Sequence, residues 1–592
     1  MSQPSSPLGF DEASAPYNWA IGQTPVVPAK PSVAPPRSAS ENLGALTLKH
    51  RPIDPTAAGV AEPEAAIAGD FVPWLRMSNI LIVAVQDEAA ERAARAHLEP
   101  RWGGPIIPSY TDLATLREGQ FRAYGERLAE KAANLCPDEM SCRFLGERRK
   151  QWYLRSLPFV LLVGIFLFPA TMLSALIAWF IFMNAVMVGM RLIALTADTR
   201  HTFAPLDRAP ADLPIISVLL PTYREASVLK ALINALGQVD YPRDRLDLKL
   251  LLEEDDLETK TALTQISDAA KVDLDIITVP RGAPQTKPRA MNYALPFCKG
   301  SVIGIYDAED HPAPDQLQIV ARALSAAPKK IACVQAILDF YNHTQNWLTR
   351  CFSLEYAIWF RVLLHGVRKM GLPLPLGGTS VFFRRDVLEE IGAWDAHNVT
   401  EDADLGMRLA RFGYSCELIP STTLEEANSH YGNWIGQRSR WLKGYVVTWL
   451  THMRQPRQLL RDLGLRGFLG FQLLLLGGVT TYIALPFHLV WLGLVLGDVA
   501  PGVFSQLPQD LWVVFFITLP IGNLVMVSAA FLAAYRLQRT HLYLWVFTLP
   551  VYWLLGAIAA YRAVTELFHI PFHWHKTQHG LTQEQPPSVP SP

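Results

Sequence analysis

The sequence predicts an α/β domain inserted between transmembrane α-helices, about six spans in all, with a small α+β domain at the N-terminal side. Three observations predict this. Residues 157–190 and 468–497 contain no Asp, Glu, Lys or Arg, and each run exceeds the ~20 residues of one span. Between them, from 213 to about 450, short apolar runs alternate with helical patterning, as in a mostly parallel sheet covered on both faces. Carboxylates stand just past the ends of those runs, at the sheet edge where open α/β folds bind ligands.

Each segment follows in order. Residues 1–68 are rich in Pro, Ala and Ser without periodicity, which predicts a disordered tail. Residues 69–150 form the small α+β domain: a strand over Ile80–Val85, a helix over Glu88–Leu98, a short strand over Gly104–Pro108, and a helix over Thr111–Lys131 capped by Ser109 or Thr111. This order resembles the N-terminal domain of type II secretion ATPases. Residues 155–198 read as a helix pair broken near Pro169. The soluble domain, 210–452, has strands over Ile215–Leu220, Leu248–Leu252, Ile276–Val279 and Val302–Tyr306. Residues 465–565 hold four more helices: a pair broken near Pro486, then Leu511–Tyr535 and Leu542–Tyr561. An even count puts both soluble parts and both termini on one side. Arg454, Arg457, Arg461, Arg466, Arg536, Arg539 and Arg562 argue that this side is cytosolic, so a multi-pass membrane protein is expected. The tail, 566–592, is aromatic and His-rich at Phe572–Gly580.

The net charge of −1 gives no bulk attraction to nucleic acid, and none is expected as a partner. A mean hydropathy of +0.15 comes from the apolar blocks, and the lipid bilayer is the expected surrounding. The six cysteines form no CxxC pair and read as reduced.

Three clusters carry chemistry. In Asp307-Ala308-Glu309-Asp310, Asp307 and Glu309 can point the same way and share a hard divalent cation, Mg2+ or Mn2+. Thr400-Glu401-Asp402 opens a helix whose apolar face is Leu405, Leu409 and Phe412, and offers a general base. Gln437-Arg438-Ser439-Arg440-Trp441 places a guanidinium for phosphate oxygens beside an indole face for a sugar ring. Each alone has a bland counterpart: a solvated acidic loop, favourable carboxylates at a helix start, an interfacial Arg/Trp pair.

Together with Pro221-Thr222-Tyr223-Arg224-Glu225 and Lys287-Pro288-Arg289-Ala290-Met291-Asn292, these clusters stand in the order of processive family 2 glycosyltransferases. The chain resembles the bacterial cellulose synthase catalytic subunit and the related curdlan and mixed-linkage β-glucan synthases over about residues 150–565. The resemblance implies a GT-A-type nucleotide-sugar transferase domain. It implies Asp402 as base within Thr400-Glu401-Asp402, Asp307 and Glu309 at the metal and donor diphosphate, and Gln437, Arg438, Arg440 and Trp441 at the diphosphate and acceptor. It puts Thr222, Tyr223 and Glu225 by the nucleoside, Lys287 near the donor, and Gly378 and Thr379 beside the terminal sugar of the acceptor. Lys576 and Thr577 would belong to a gating loop. Two departures stand out. The family's D-x-D is D-x-E here with Asp310 next, so which of Asp307, Glu309 and Asp310 touch metal stays open. The family's donor-binding Asp pair is replaced by Glu253-Glu254-Asp255-Asp256, with Glu254 in ungapped register and Asp255 and Asp256 as alternatives.

The expected activity is that of a hexosyltransferase: inverting, processive transfer from a UDP-sugar donor, UDP-glucose first, to a growing polysaccharide, a β-glucan exopolysaccharide. The resemblance implies the inner (cytoplasmic) membrane of a bacterium, which the product would cross, with export partners in the periplasm or outer membrane as an option. The rivals are single-sugar transfer to a lipid carrier and a catalytically dead envelope receptor.

Overall fold

The computed structural model describes residues 48, 51–146, 152–199, 213–266, 272–486 and 509–570. The tail expected over 1–68 is ordered from residue 51 onward. Helices α1 (Pro55–Ala58) and α2 (Pro63–Ala68) bury Ala57, Ala58, Ala66 and Ile67, which corrects that boundary. Four- and six-residue helices show no period, and their burial comes from tertiary contact alone.

The N-terminal domain continues with β1 (Phe71–Met77), β2 (Ile80–Val85), α3 (Glu88–Leu98), β3 (Ile106–Tyr110) and α4 (Leu113–Ala133). The sheet order is β1-β2-β3, antiparallel then parallel. Asp112 caps α4 by accepting from the Thr115 N–H at 2.7 Å, so neither Ser109 nor Thr111 is the cap.

Helices α5 (Trp152–Leu167) and α6 (Pro169–Leu195) meet at Phe168, where the break near Pro169 was expected. The soluble domain follows: β4 (Ile216–Thr222), α7 (Ala226–Gly237), β5 (Leu246–Glu253), α8 (Leu257–Ile266), β6 (Leu274–Val279), α9 (Lys287–Ala294), β7 (Val302–Ile305), β8 (His311–Pro312), α10 (Gln316–Ala326) and β9 (Ile331–Phe340). Then come α11 (Trp347–Ile358), a π-helical turn over Trp359–Leu363, α12 (Leu364–Lys369), β10 (Val381–Arg384), α13 (Glu401–Arg411), β11 (Ser415–Glu425) and α14 (Tyr431–His452). The eight strands lie in the order β6-β5-β4-β7-β10-β9-β11-β8. β4, β5, β6 and β7 are parallel, but β10 inserts antiparallel between β7 and β9, so the sheet is mixed rather than mostly parallel.

Alternation along the strands divides the core. Leu220, Leu250, Leu252 and Val302 face α7 and α10. Leu219, Leu251 and Ile303 face the other way, into a cluster that runs through Met291 and Phe297 to Phe71 and Leu128 of the N-terminal domain. The N-terminal domain is therefore one of the layers covering the eight-stranded sheet.

The chain then forms α15 (Pro456–Gln472), a π-helical turn over Leu473–Gly477, α16 (Gln509–Arg536) and α17 (Leu549–His569). Among the described residues three helices are long and apolar enough to cross a membrane: Ser174–Leu195, Pro456–Pro486 and Thr540–His569. Six spans were expected. At 16 residues, α5 is about 24 Å long, under the ~30 Å hydrocarbon core. The second half of the pair expected over 468–497 falls outside the described residues.

Candidate active site

One cavity of about 540 Å³ begins at the C-terminal ends of β4, β5 and β7 and continues between the apolar helices. Its soluble wall gathers Thr222, Tyr223, Glu225, Lys287, Asp307, Glu309, Gly378, Thr379, Thr400, Glu401, Asp402, Gln437, Arg438, Arg440 and Trp441. Its deeper wall includes Asn184, Arg191, Tyr482, Asn523 and Trp553. Clusters up to about 220 residues apart in sequence thus share one space. Lys576 and Thr577 lie outside the described residues.

The entrance is built on a strained turn. Arg224 has φ 54°, a conformation disfavoured for a side chain of its size. Its N–H donates to Asp256, which also caps α8 by accepting from the Thr259 N–H at 3.1 Å. Asp256 therefore supports the Thr222–Glu225 turn from behind and does not line the cavity. Glu254, first in ungapped register, accepts the Arg281 N–H at 3.0 Å and is also off the wall. Glu253 is the carboxylate of this run that faces in. Burial raises its pKa to about 7, against the Arg289 guanidinium 3.1 Å away. The strand runs one residue further than its apolar stretch, and that sets which side chain faces in.

At the acidic run, Lys287 donates to Asp307 and to the Gly378 carbonyl at 2.9 Å. Burial opposes the Lys287 cation, but Asp307 and then Glu401 outweigh it and hold its pKa above the usual lysine value. Asp310 is fully buried behind the wall. It accepts the Asp307 N–H at 2.7 Å and the Thr379 hydroxyl, so its task is to fix the loop. Burial, then the charge of Asp307, raises Glu309 to about 8. Glu425 also lines the cavity and has a buried Oε1 with no hydrogen-bond partner among the described residues. No group of three or more His, Cys, Asp and Glu is arranged to hold a metal ion among the described residues. Asp307 and Glu309 remain an all-oxygen pair crowded by like charge. That fits a hard divalent cation whose other ligands come from a diphosphate.

Asp402 stands in the first turn of α13, its Oδ1 accepting the Ala403 N–H at 2.8 Å. Burial raises its pKa against the opposing Ala403 N–H, Lys287 and Arg440. Burial and then the Asp402 charge raise Glu401 to about 7. A Cβ on Gly378 would lie 3.1 Å from Asp402 Oδ2, so a larger residue there would press on this carboxylate. Thr400 holds the N-cap position without a side-chain cap bond, and its N–H donates to Asn398 at 3.0 Å. Of the helix's expected apolar face, Leu405 and Leu409 are buried, while Phe412 is exposed.

In α14, Arg440 donates to the Val399 carbonyl at 3.2 Å and lies in the field of Glu401, Asp402 and Asp307. Trp441 lines the cavity beside Tyr356. Arg438 also reaches the wall, but its charge pairs with Glu355 and its guanidinium lies 4.7 Å from the centre of the Trp441 ring. Gln437 accepts from Asn428 at 3.0 Å. The sequence reading missed Glu355, Glu425 and Asn398, because isolated polar residues in apolar or mixed segments carry no linear signal.

Residues 302–561 match the model described as glycosyl transferase family group 2. A probable glycosyltransferase, YdaM, of Bacillus subtilis (strain 168) is 28% identical over 240 residues, covering 40% of this chain and 57% of that protein. The beta-monoglucosyldiacylglycerol synthase of Nostoc sp. (strain PCC 7120) is 28% identical over 250 residues, 40% of this chain and 51% of that protein. The cellulose synthase catalytic subunit [UDP-forming] of Komagataeibacter sucrofermentans is 27% identical over 275 residues, 42% and 33% respectively. This chain thus spans between a third and three-fifths of the length of these relatives.

Proposed function

We propose, from the match of residues 302–561 to glycosyl transferase family group 2, that the protein is a membrane-embedded, processive, inverting enzyme that uses UDP-glucose to extend a β-glucan and passes it across the inner membrane. One observation carries this reading. The cavity that holds the three clusters does not end at the soluble domain but runs on between apolar helices, lined there by Asn184, Arg191, Tyr482 and Asn523. A polar polymer cannot cross hydrocarbon unaided, and polar side chains at that depth mark a path.

In the proposed reaction the nucleoside lies along Thr222, Tyr223, Glu225 and Glu253. The diphosphate faces Lys287, Arg440, Asp307 and Glu309. Mg2+ or Mn2+ held by Asp307 and Glu309 would supply positive charge to the leaving group. Trp441 takes the acceptor sugar on its indole face. Asp402 accepts the proton of the acceptor hydroxyl as that oxygen attacks the anomeric carbon from the side opposite the diphosphate. One displacement gives inversion. Its raised pKa makes Asp402 a better base than an ordinary aspartate.

The test is the full chain in lipid nanodiscs with radiolabelled UDP-glucose. The expected outcome is UDP release coupled to a long glucan, with Asp402→Asn slower by about 10²–10⁴-fold. A second reading, transfer of one sugar to a lipid, is favoured by the glucosyldiacylglycerol synthase relatives and by the apolar wall of Phe180, Met183, Met187 and Met526. A single labelled glycolipid in the same assay would replace the first reading with this one. Absence of nucleotide release from every nucleotide sugar offered would leave the receptor reading.

A further inference from the structure

Two segments of the candidate site are held from outside by the N-terminal domain. The first is α9, which begins at Lys287. Five residues on, Asn292 is buried, and its side-chain amide is fully used. Nδ2 donates to the Ala132 carbonyl in α4 at 2.9 Å and to the Trp394 carbonyl at 2.8 Å, and Oδ1 accepts the Trp394 N–H at 3.1 Å. One amide therefore ties the N-terminal domain, the Lys287 helix and the loop that leads to Thr400. The second segment is that loop. Asp395 is fully buried and accepts the Ser141 hydroxyl at 2.9 Å and the Cys142 N–H at 2.7 Å. Next to it the Ala396 carbonyl accepts the Thr286 hydroxyl at 2.7 Å, which closes the ring back to Lys287. The stretch Asp138–Ser141 is fastened in turn by Arg454, which donates to the carbonyls of Asp138 at 2.9 Å and Ser141 at 2.7 Å. On the sheet side, Arg117 of α4 pairs with Asp275 at 2.8 Å, and Asp275 pairs with Lys249 at 2.7 Å.

We propose that the N-terminal domain braces the active site: Asn292 and Asp395 are positioning residues through which residues 132–142 keep Lys287 and Asp402 in register. The reason is geometric. Lys287 and Asp402 come from segments hydrogen-bonded to each other at Thr286–Ala396 and Asn292–Trp394, and both joints are backed by the N-terminal domain. Buried hydrogen bonds to a carboxylate are the stronger kind, so loss of the Asp395 contacts frees the loop locally without emptying a core site. An undocked N-terminal domain would leave the sheet folded and the two catalytic walls out of register. A misplacement on the order of 1 Å costs about 10²-fold in rate. The catalytic consequence rests on the glycosyltransferase reading; the bracing itself does not.

The experiment compares full-length parent, Asp395→Asn, Ser141→Ala and Asn292→Ala in nanodiscs by hydrogen–deuterium exchange and, in parallel, by nucleotide release from UDP-glucose. Asp395→Asn keeps size and shape, so it guards against a variant that fails to fold. Expected are at least about tenfold faster exchange in peptides covering 286–294 and 395–404, unchanged exchange over 216–222, and a fall in kcat of about tenfold or more at similar KM. Exchange like the parent at those two segments in every variant would overturn the brace. So would a uniform rise over the whole sheet, which marks a purely structural role. If the parent releases no nucleotide, the transferase reading falls while the exchange data still decide the brace.

Discussion

Lys287 is the residue on which the charges of the site balance. It pairs with Asp307 and also lowers the pKa of Asp402 and Glu401 through its field. In the proposed reaction Asp402 accepts a proton only when ionised, and burial raises its pKa from the ordinary aspartate value. The rate of nucleotide release is therefore expected to fall as pH drops through a value higher than an ordinary aspartate would give. In Lys287→Met the opposing cation is gone, so this acid limb is expected at still higher pH; a pH–rate profile of both proteins checks the sign. Asp307 and Asp310 separate by role in the same way. Asp307→Asn is expected to raise the Mn2+ concentration for half-maximal activity by about tenfold or more, because a wall carboxylate is lost. Asp310→Asn is expected to lower Tm with little change in that concentration, because Asp310 holds the Asp307 N–H from behind. Metal titrations and thermal scans of the two variants make the comparison. The sequence could name the run Asp307–Asp310 but could not divide these tasks, since adjacent carboxylates differ only in which way the loop turns them. The same holds for Glu253 against Glu254: one extra strand residue reverses which of them faces in.

At the scale of elements, the site depends on the approach of α13 to α14. Gly444 lies where a Cβ would come 2.3 Å from Thr400 Oγ1, so α14 can pass this close only without a side chain there. Gly444→Ala is expected to cost about 1–3 kcal/mol of stability and most of the activity by pushing the Thr400–Asp402 turn away; denaturant unfolding and nucleotide-release assays measure each part. The π-helical turns at 359–363 and 473–477 put Trp359, Phe360 and Leu474 on the cavity wall, as extra residues in a helix often do at functional sites. The order of the motifs and most parallel strands were legible because they are local patterns: Ile80–Val85 and Glu88–Leu98 stand as read. The antiparallel insertion of β10 was not legible. Its neighbours, β7 and β9, lie about 80 and 50 residues upstream, and four residues carry no record of their direction.

For the whole molecule, one face of the sheet is covered by α7 and α10, and the other packs into a cluster shared by the N-terminal domain and, through Met187 and Leu474, by the apolar helices. Composition drew a boundary near residue 150, yet the apolar cluster passes through it. Phe71 and Leu128 share one core with Tyr293, Phe297 and Val279. The consequence is practical. Removing residues 1–146, a natural choice for a smaller and more tractable enzyme, would uncover that face and strip Asp275 of its Arg117 partner, leaving the Asp275–Lys249 pair open to solvent. Such a protein is expected to aggregate on detergent extraction, while the full chain runs as a single species on size exclusion. The part that looks most dispensable by composition sets whether the enzyme can be handled at all.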